Sequence, residues 1–243
     1  MRAVDLAAEE TVTFVQTQLT TAPLRILDVG CGNGLVAQGL QLRGHEVVAI
    51  DESAAAVEQA LTLGVDARLA SWPDFADGPF DVVLFARSLH HIGPLAEAVA
   101  QAERVLAPSG LVIVDEFERA EIDPATLEWF YGIVRLLKTS QRIADQDDSF
   151  ATKLLRSRGE YACWAQHHDR GLHTATAMWS ALRNRFEALS ESSAPYLYRY
   201  LCPLLAEDES GYAIGCEVLD MERRLARLGA LSLIGRRFVG RKR

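Results

Sequence analysis

Three features of the chain predict an α/β fold with a doubly wound, mostly parallel sheet. Short apolar runs of strand length alternate with stretches whose apolar residues recur at helical spacing. The first run, Leu24 to Val29, ends in the turn Gly30-Cys31-Gly32-Asn33-Gly34 and leads directly into helical spacing from Leu35 to Leu42. The second, Glu46 to Ile50, ends in the acids Asp51-Glu52, about 20 residues beyond those glycines, where a ribose-binding acid stands in nucleoside-binding crevices.

The remaining elements follow the same logic. Leu6 to Leu19 has apolar positions at helical spacing and predicts a helix covering the sheet. Strands are expected near 24–29, 46–50, 65–69, 80–86 and 110–116, with helices near 33–43, 53–62 and 94–106. Gly78-Pro79 is an entry turn for Phe80 to Ala86, whose unbroken apolar run reads as a central strand. Pro108-Ser109-Gly110 reads as the turn between a helix end and the fifth strand. Asp123-Pro124 caps a helix with Leu127, Phe130, Val134 and Leu137 on one stripe, and a polar break at 145–148 precedes helical spacing from Phe150 to Arg156. A helix over Thr174–Arg185, a sixth strand over Phe186–Ser190, an amphipathic helix over Cys216–Leu228 and a seventh strand over Leu231–Val239 complete the chain. One domain over 1–243 is expected, with a core at 20–118 and helical insertions at 119–172 and 195–229 that serve as a lid or substrate cap.

Composition narrows the class of function. The chain of 243 residues carries a net charge of −8, distributed as −10 over residues 1–120 and +2 over residues 121–243. An acidic chain argues against nucleic acid as substrate, because phosphate binding needs a concentrated basic face. The one dense basic group, Arg236-Arg237 with Arg241-Lys242-Arg243, reads as a charged edge strand. Four cysteines without a Cys-x-x-Cys pair form neither a zinc motif nor a disulfide framework. No apolar run approaches the roughly 20 residues of a membrane span, and no signal-peptide pattern opens the chain. A reduced, cytoplasmic protein with a small-molecule substrate is expected, with no nucleic-acid or membrane partner and a homodimer as a possible assembly.

The glycine spacing separates two kinds of nucleoside ligand. A dinucleotide fingerprint needs Gly-x-Gly-x-x-Gly, and Leu35 occupies the place of its third glycine. Leu27-Asp28-Val29-Gly30-Cys31-Gly32-Asn33-Gly34 instead resembles the first motif of class I S-adenosylmethionine-dependent methyltransferases. Phe80-Asp81-Val82-Val83 and the Leu106-to-Gly110 turn resemble later motifs of the same family, with Ser109 in place of one of its glycines. The resemblance covers about residues 24 to 116 and implies a Rossmann-like fold that uses S-adenosyl-L-methionine. It further implies that Asp28, Gly30, Cys31, Gly32 and Gly34 hold the methionine end, and that Asp51 with Glu52 takes the ribose. Where the family often has an acid for the adenine, this chain has Ser71-Trp72, a hydroxyl and a ring face.

Methyl transfer from a sulfonium is an in-line displacement, and a hydroxyl or amine acceptor must also lose a proton. Ligands in open parallel sheets sit beyond the carboxyl ends of the strands. That rule nominates residues 86–91, with Arg87 for the cofactor and His90 as a candidate general base, since imidazole titrates near ~6.5. The family resemblance implies that His91, before Ile92, helps shape the cofactor pocket. At the end of the fifth strand, Asp115 or Glu116 is a candidate for orienting an acceptor. His167, His168, Asp169 and His173 invite a metal reading, but Arg170 among them would repel a cation, and no metal is expected. Tyr196, Tyr198 and Tyr200 would share one face if extended, lining a substrate pocket, covering the sheet or meeting another copy. The rival functions are a non-catalytic methyltransferase-like binding protein and a nicotinamide-dependent oxidoreductase.

Overall fold

The computed structural model describes residues 1–19, 23–144, 146–168 and 171–243. Its strands are β1 (Arg25–Val29), β2 (Glu46–Asp51), β3 (Asp66–Leu69), β4 (Phe80–Ala86), β5 (Leu106–Phe117), β6 (Phe186–Ala194) and β7 (Gly235–Lys242). The helices among the described residues are α1 (Ala3–Gln18), α2 (Leu35–Gln41), α3 (Ala54–Thr62), α4 (Leu95–Val105), α5 (Pro124–Thr139), α6 (Phe150–Arg156), α7 (Tyr161–His168), α8 (Ala175–Arg183) and α9 (Glu209–Arg227). The strands form one sheet in the order β3-β2-β1-β4-β5-β7-β6, mostly parallel, as the Rossmann-like reading expects.

The chain divides into two compact units. The larger comprises 8–117, 173–192 and 236–243 and contains most of the sheet. Period-two alternation sends neighbouring strand residues to opposite faces. Ile26, Val47, Ala49, Val82, Leu84 and Ile113 pack on one side with Val12, Val15, Ala37 and Leu40. Leu27, Val48, Ile50, Val83, Phe85, Val112 and Val114 pack on the other with Val99, Met178 and Leu182. Burial on both faces is why these strands read as unbroken apolar runs rather than alternating ones. The smaller unit comprises 1–7, 118–172 and 193–235. Its core stacks Phe130 on Phe150 with centroids 6.1 Å apart, and Trp164 meets Phe150 edge-on at 5.3 Å. No helix among the described residues is long and apolar enough to cross a membrane.

Several boundaries differ from the expectation. Helix α9 starts at Glu209 rather than Cys216, because Asp208 caps it by accepting from the Gly211 N–H at 2.9 Å. The turn at Pro108-Ser109-Gly110 lies inside β5, where Leu106 pairs with Phe80 and the ladder resumes at Val82 opposite Leu111, a bulge with Ser109 at φ +62°. Strand β6 runs on to Ala194, and β7 begins at Gly235 rather than Leu231. The tyrosines are not on an extended segment: Leu197–Tyr200 is a 3-10 turn. Buried Glu222 of α9 accepts the N–H groups of Tyr196, Leu197 and Tyr198 at 2.7, 3.2 and 3.3 Å and curls the chain there. The basic C-terminus is absorbed by the larger unit: Lys242 Nζ donates to the Leu106 carbonyl at 2.6 Å, and Arg243 donates to the carbonyls of Arg183 and Phe186.

Candidate active site

The glycine turn is built by close approach as much as by chain reversal. Gly30, Gly32 and Gly34 all take left-handed φ, at +70°, +54° and +81°. A Cβ on Gly30 would stand 2.6 Å from Ser88 Cβ, and one on Gly34 would stand 2.6 Å from Ala60 Cβ. The first glycine therefore lets the β4 loop come close, where the Ser88 hydroxyl donates to the Val29 carbonyl. The third lets α2 pack on α3. Gly32 has nothing within 4 Å of such a Cβ, and its N–H donates to Asp51 Oδ2 at 2.9 Å.

Beside this turn lies a cavity of about 560 Å³, walled by Gly30, Asp51, Glu52, Trp72, Arg87 and His91 among others. Asp51 is fixed at the end of β2, since its Oδ1 accepts from the Ser53 N–H at 2.9 Å while Oδ2 holds Gly32. Lone pairs remain on both oxygens for a vicinal diol. Trp72 is fixed through its indole N–H, which donates to the Ala98 carbonyl at 3.0 Å, and it packs edge-on to Phe85 at 6.0 Å. Asp28, Cys31, Gly32, Gly34 and Ser71 lie outside the cavity wall, and Ser71 is exposed. Burial pushes the Cys31 thiol up to about 12, so it stays protonated.

Asp28 is the electrostatic anomaly of the site. It is paired in register with Ala49 and Leu84, is fully buried, and neither of its oxygens has a hydrogen-bond partner among the described residues. Burial pushes its carboxyl up to about 7, opposed by the charge of Arg87 and assisted by that of Asp51. Arg87 has a buried, unpartnered Nη1. A cavity walled by an unsatisfied guanidinium, with a buried carboxyl behind the wall, suits a ligand bearing a carboxylate and an ammonium, as the methionine end of S-adenosylmethionine does.

The acids ending β5 have separate partners. Asp115 accepts from Thr11 Oγ1 at 2.7 Å and pairs with Arg237 Nε at 3.1 Å, tying α1 and β7 to the sheet. Glu116, fully buried on the opposite face, holds His90: Nδ1 donates to Oε2 at 2.6 Å and the backbone N–H to Oε1 at 3.3 Å. The His90 ring lies 4.1 Å from His91 and edge-on to Phe117 at 5.3 Å. Period two puts neighbouring strand residues on opposite faces, a signal available from sequence that separates Asp115 from Glu116. Of the histidines in the metal reading, His168 donates from Nδ1 to the Trp164 carbonyl at 2.8 Å and accepts at Nε2 from the Tyr200 hydroxyl at 2.6 Å. His173 Nε2 donates to the Ile92 carbonyl at 3.0 Å. Asp169 and Arg170 lie outside the described residues. No group of three or more His, Cys, Asp or Glu among the described residues is arranged to hold a metal.

The sheet order, the glycine turn and the acid closing β2 define a nucleoside-binding protein of Rossmann-like fold. The chain belongs to the class I S-adenosylmethionine-dependent methyltransferases. Residues 27–114 match the family model described as a methyltransferase domain. A ubiquinone biosynthesis O-methyltransferase from Alkalilimnicola ehrlichii is 31% identical over 187 residues, 72% of each chain. Among solved structures, an S-adenosylmethionine-dependent methyltransferase from Mesorhizobium loti aligns with TM-score 0.59 at 15% identity, covering 98% of this chain and 100% of that one. The geranyl diphosphate C-methyltransferase from Streptomyces coelicolor A3(2) aligns with TM-score 0.58 at 14% identity, covering 97% and 76%. At such identities the structural likeness speaks for the fold. The protein is an S-adenosylmethionine-dependent methyltransferase.

Proposed function

We propose that the acceptor atom is a hydroxyl oxygen and that His90 is its general base. The observation that carries this reading is the buried Glu116–His90 pair at 2.6 Å. With Nδ1–H committed to the carboxylate, Nε2 carries the lone pair, and it has no partner among the described residues. When bound, S-adenosylmethionine supplies a methyl group already activated on a sulfonium. Asp51 and Glu52 receive the ribose, Trp72 and Ser71 the adenine, and Gly30, Cys31, Gly32 and Gly34 shape the methionine end. Asp28 draws its ammonium through solvent or backbone, and Arg87 and His91 close the wall at the end of β4. The O-methyltransferase name of the Alkalilimnicola ehrlichii relative supports the choice of oxygen.

In the same reading the chain acts as one methyltransferase domain, with residues 20–118 as core and 119–172 and 195–229 as substrate cap. It works in a reducing cytoplasm, which suits the absence, among the described residues, of any disulfide joining Cys31, Cys163, Cys202 and Cys216. A homodimer belongs to the reading too, and β6, at the sheet edge with residues 187–193 exposed, supports it. The deciding experiment offers phenols, aliphatic alcohols and amines with methyl-labelled S-adenosylmethionine and measures label transfer and S-adenosylhomocysteine release. Transfer to hydroxyls, lost in His90→Gln, is expected; transfer to amines alone would refute the choice of oxygen.

A further inference from the structure

Arg87 is conformationally out of place for an arginine. It follows β4 directly, at φ +60°, a backbone region that favours glycine. The position is locked there by its N–H, which donates to the Asp115 carbonyl at 2.9 Å. The side chain gains nothing from the fold in return: the guanidinium makes no hydrogen bond or ion pair with any described residue, and Nη1 is buried. A guanidinium is a permanent cation with five donors, and leaving one of them buried and unmatched is costly. A strained backbone that holds an unsatisfied cation at a cavity wall is the pattern of a binding residue. The nearby anion does not satisfy it, since Asp28 feels its charge but keeps both oxygens unpartnered.

We infer that Arg87 anchors the carboxylate of the cofactor's amino-acid end, resting on the reading of this cavity as the S-adenosylmethionine site. A planar guanidinium matches a carboxylate in a two-pronged, charge-assisted contact. Arg87 then meets the carboxylate of the zwitterion at the cavity wall, while buried Asp28 acts on the ammonium only through solvent or backbone. The contact sets specificity: it favours ligands that carry the intact amino acid over the same nucleoside thioether without it.

Calorimetric titration with S-adenosylhomocysteine and with 5′-methylthioadenosine, which lacks the amino acid, tests this on the whole chain. The unmodified protein should bind S-adenosylhomocysteine the more tightly. Arg87→Gly should weaken that binding about ten- to a hundred-fold and leave 5′-methylthioadenosine unchanged. Glycine suits φ +60° better than arginine, so its thermal midpoint should hold or rise, which separates lost binding from lost folding. Arg87→Lys, which keeps the charge without the fork, should fall between, and it carries the test if the glycine variant does not fold. Equal weakening of both ligands, or none, would overturn the inference; the latter would point Arg87 at an acceptor's carboxylate instead. Equal binding of both ligands by the unmodified protein would overturn the inference alone, whereas binding of neither would overturn the cofactor reading beneath it.

Discussion

Glu116 holds His90 at both its ring and its backbone, with Oε2 2.6 Å from Nδ1 and Oε1 3.3 Å from the peptide nitrogen. The carboxylate is fully buried, and no competing partner among the described residues draws it away. That geometry fixes the imidazole in one tautomer and one orientation. His90→Gln is expected to lower kcat for a hydroxyl acceptor by about 10²- to 10⁴-fold while leaving the Kd for S-adenosylhomocysteine unchanged. Glu116→Gln should move kcat in the same direction by less. Steady-state rates at saturating cofactor, paired with calorimetry, check both, and a cofactor Kd that rises in step with the loss of rate would assign the pair to the cofactor pocket instead.

Asp51 serves the fold as well as the ligand. Its oxygens satisfy the N–H groups of Gly32 and Ser53, both at 2.9 Å. Asp51→Ala should weaken S-adenosylhomocysteine by about ten-fold or more and cost about 1–3 kcal/mol of stability. Calorimetry and urea unfolding measure the two effects separately.

Asp28 makes stability depend on pH in the direction opposite to an ordinary paired carboxylate. Its carboxyl sits at about 7 in the folded chain against 3.8 for a free one, so the native state binds the proton more tightly. The stability this group contributes is fully present below 3.8, falls as pH rises, and is gone above about 7. The span corresponds to at most about 4 kcal/mol. Urea unfolding between pH 4 and 8 should show the decline, and Asp28→Asn should flatten it. Cofactor binding near neutral pH should release protons, measurable as a dependence of the calorimetric heat on buffer ionisation.

The glycines of the turn are not equivalent. Gly34→Ala adds a Cβ 2.6 Å from that of Ala60 at φ +81°, so it suffers both backbone strain and collision between α2 and α3. Gly32→Ala meets nothing within 4 Å and suffers the strain alone, about 1–2 kcal/mol. Thermal unfolding should place Gly34→Ala well below Gly32→Ala, with an overpacking cost of about 1–3 kcal/mol on top.

Much of the core was legible because the residues that specify it are neighbours in sequence. The first four parallel strands, the glycine turn and the place of Asp51 at the end of β2 follow from local spacing, and each falls within about a residue of expectation. The tyrosines at 196, 198 and 200 were illegible because alternation presumes an extended chain. Glu222, some 22–26 residues on, curls that chain through three backbone hydrogen bonds. The span of β5 was misjudged for a related reason: its pairing with Phe80 across a bulge overrides a turn signal as plain as Pro-Ser-Gly.

By itself the sequence determined the class of fold and of cofactor. Glycines needed at left-handed φ and an acid at a strand end are demands of the local backbone, so they survive as a readable motif. Only the tertiary structure decided which charges are satisfied. Asp115 and Glu116 are adjacent in the chain, yet one is spent on Thr11 and Arg237 and the other holds His90, because successive strand residues face opposite layers. Asp28 and Arg87 remain unmatched for the same kind of reason: hydrogen bonding and burial depend on which elements meet in space, and spacing along the chain does not carry that information.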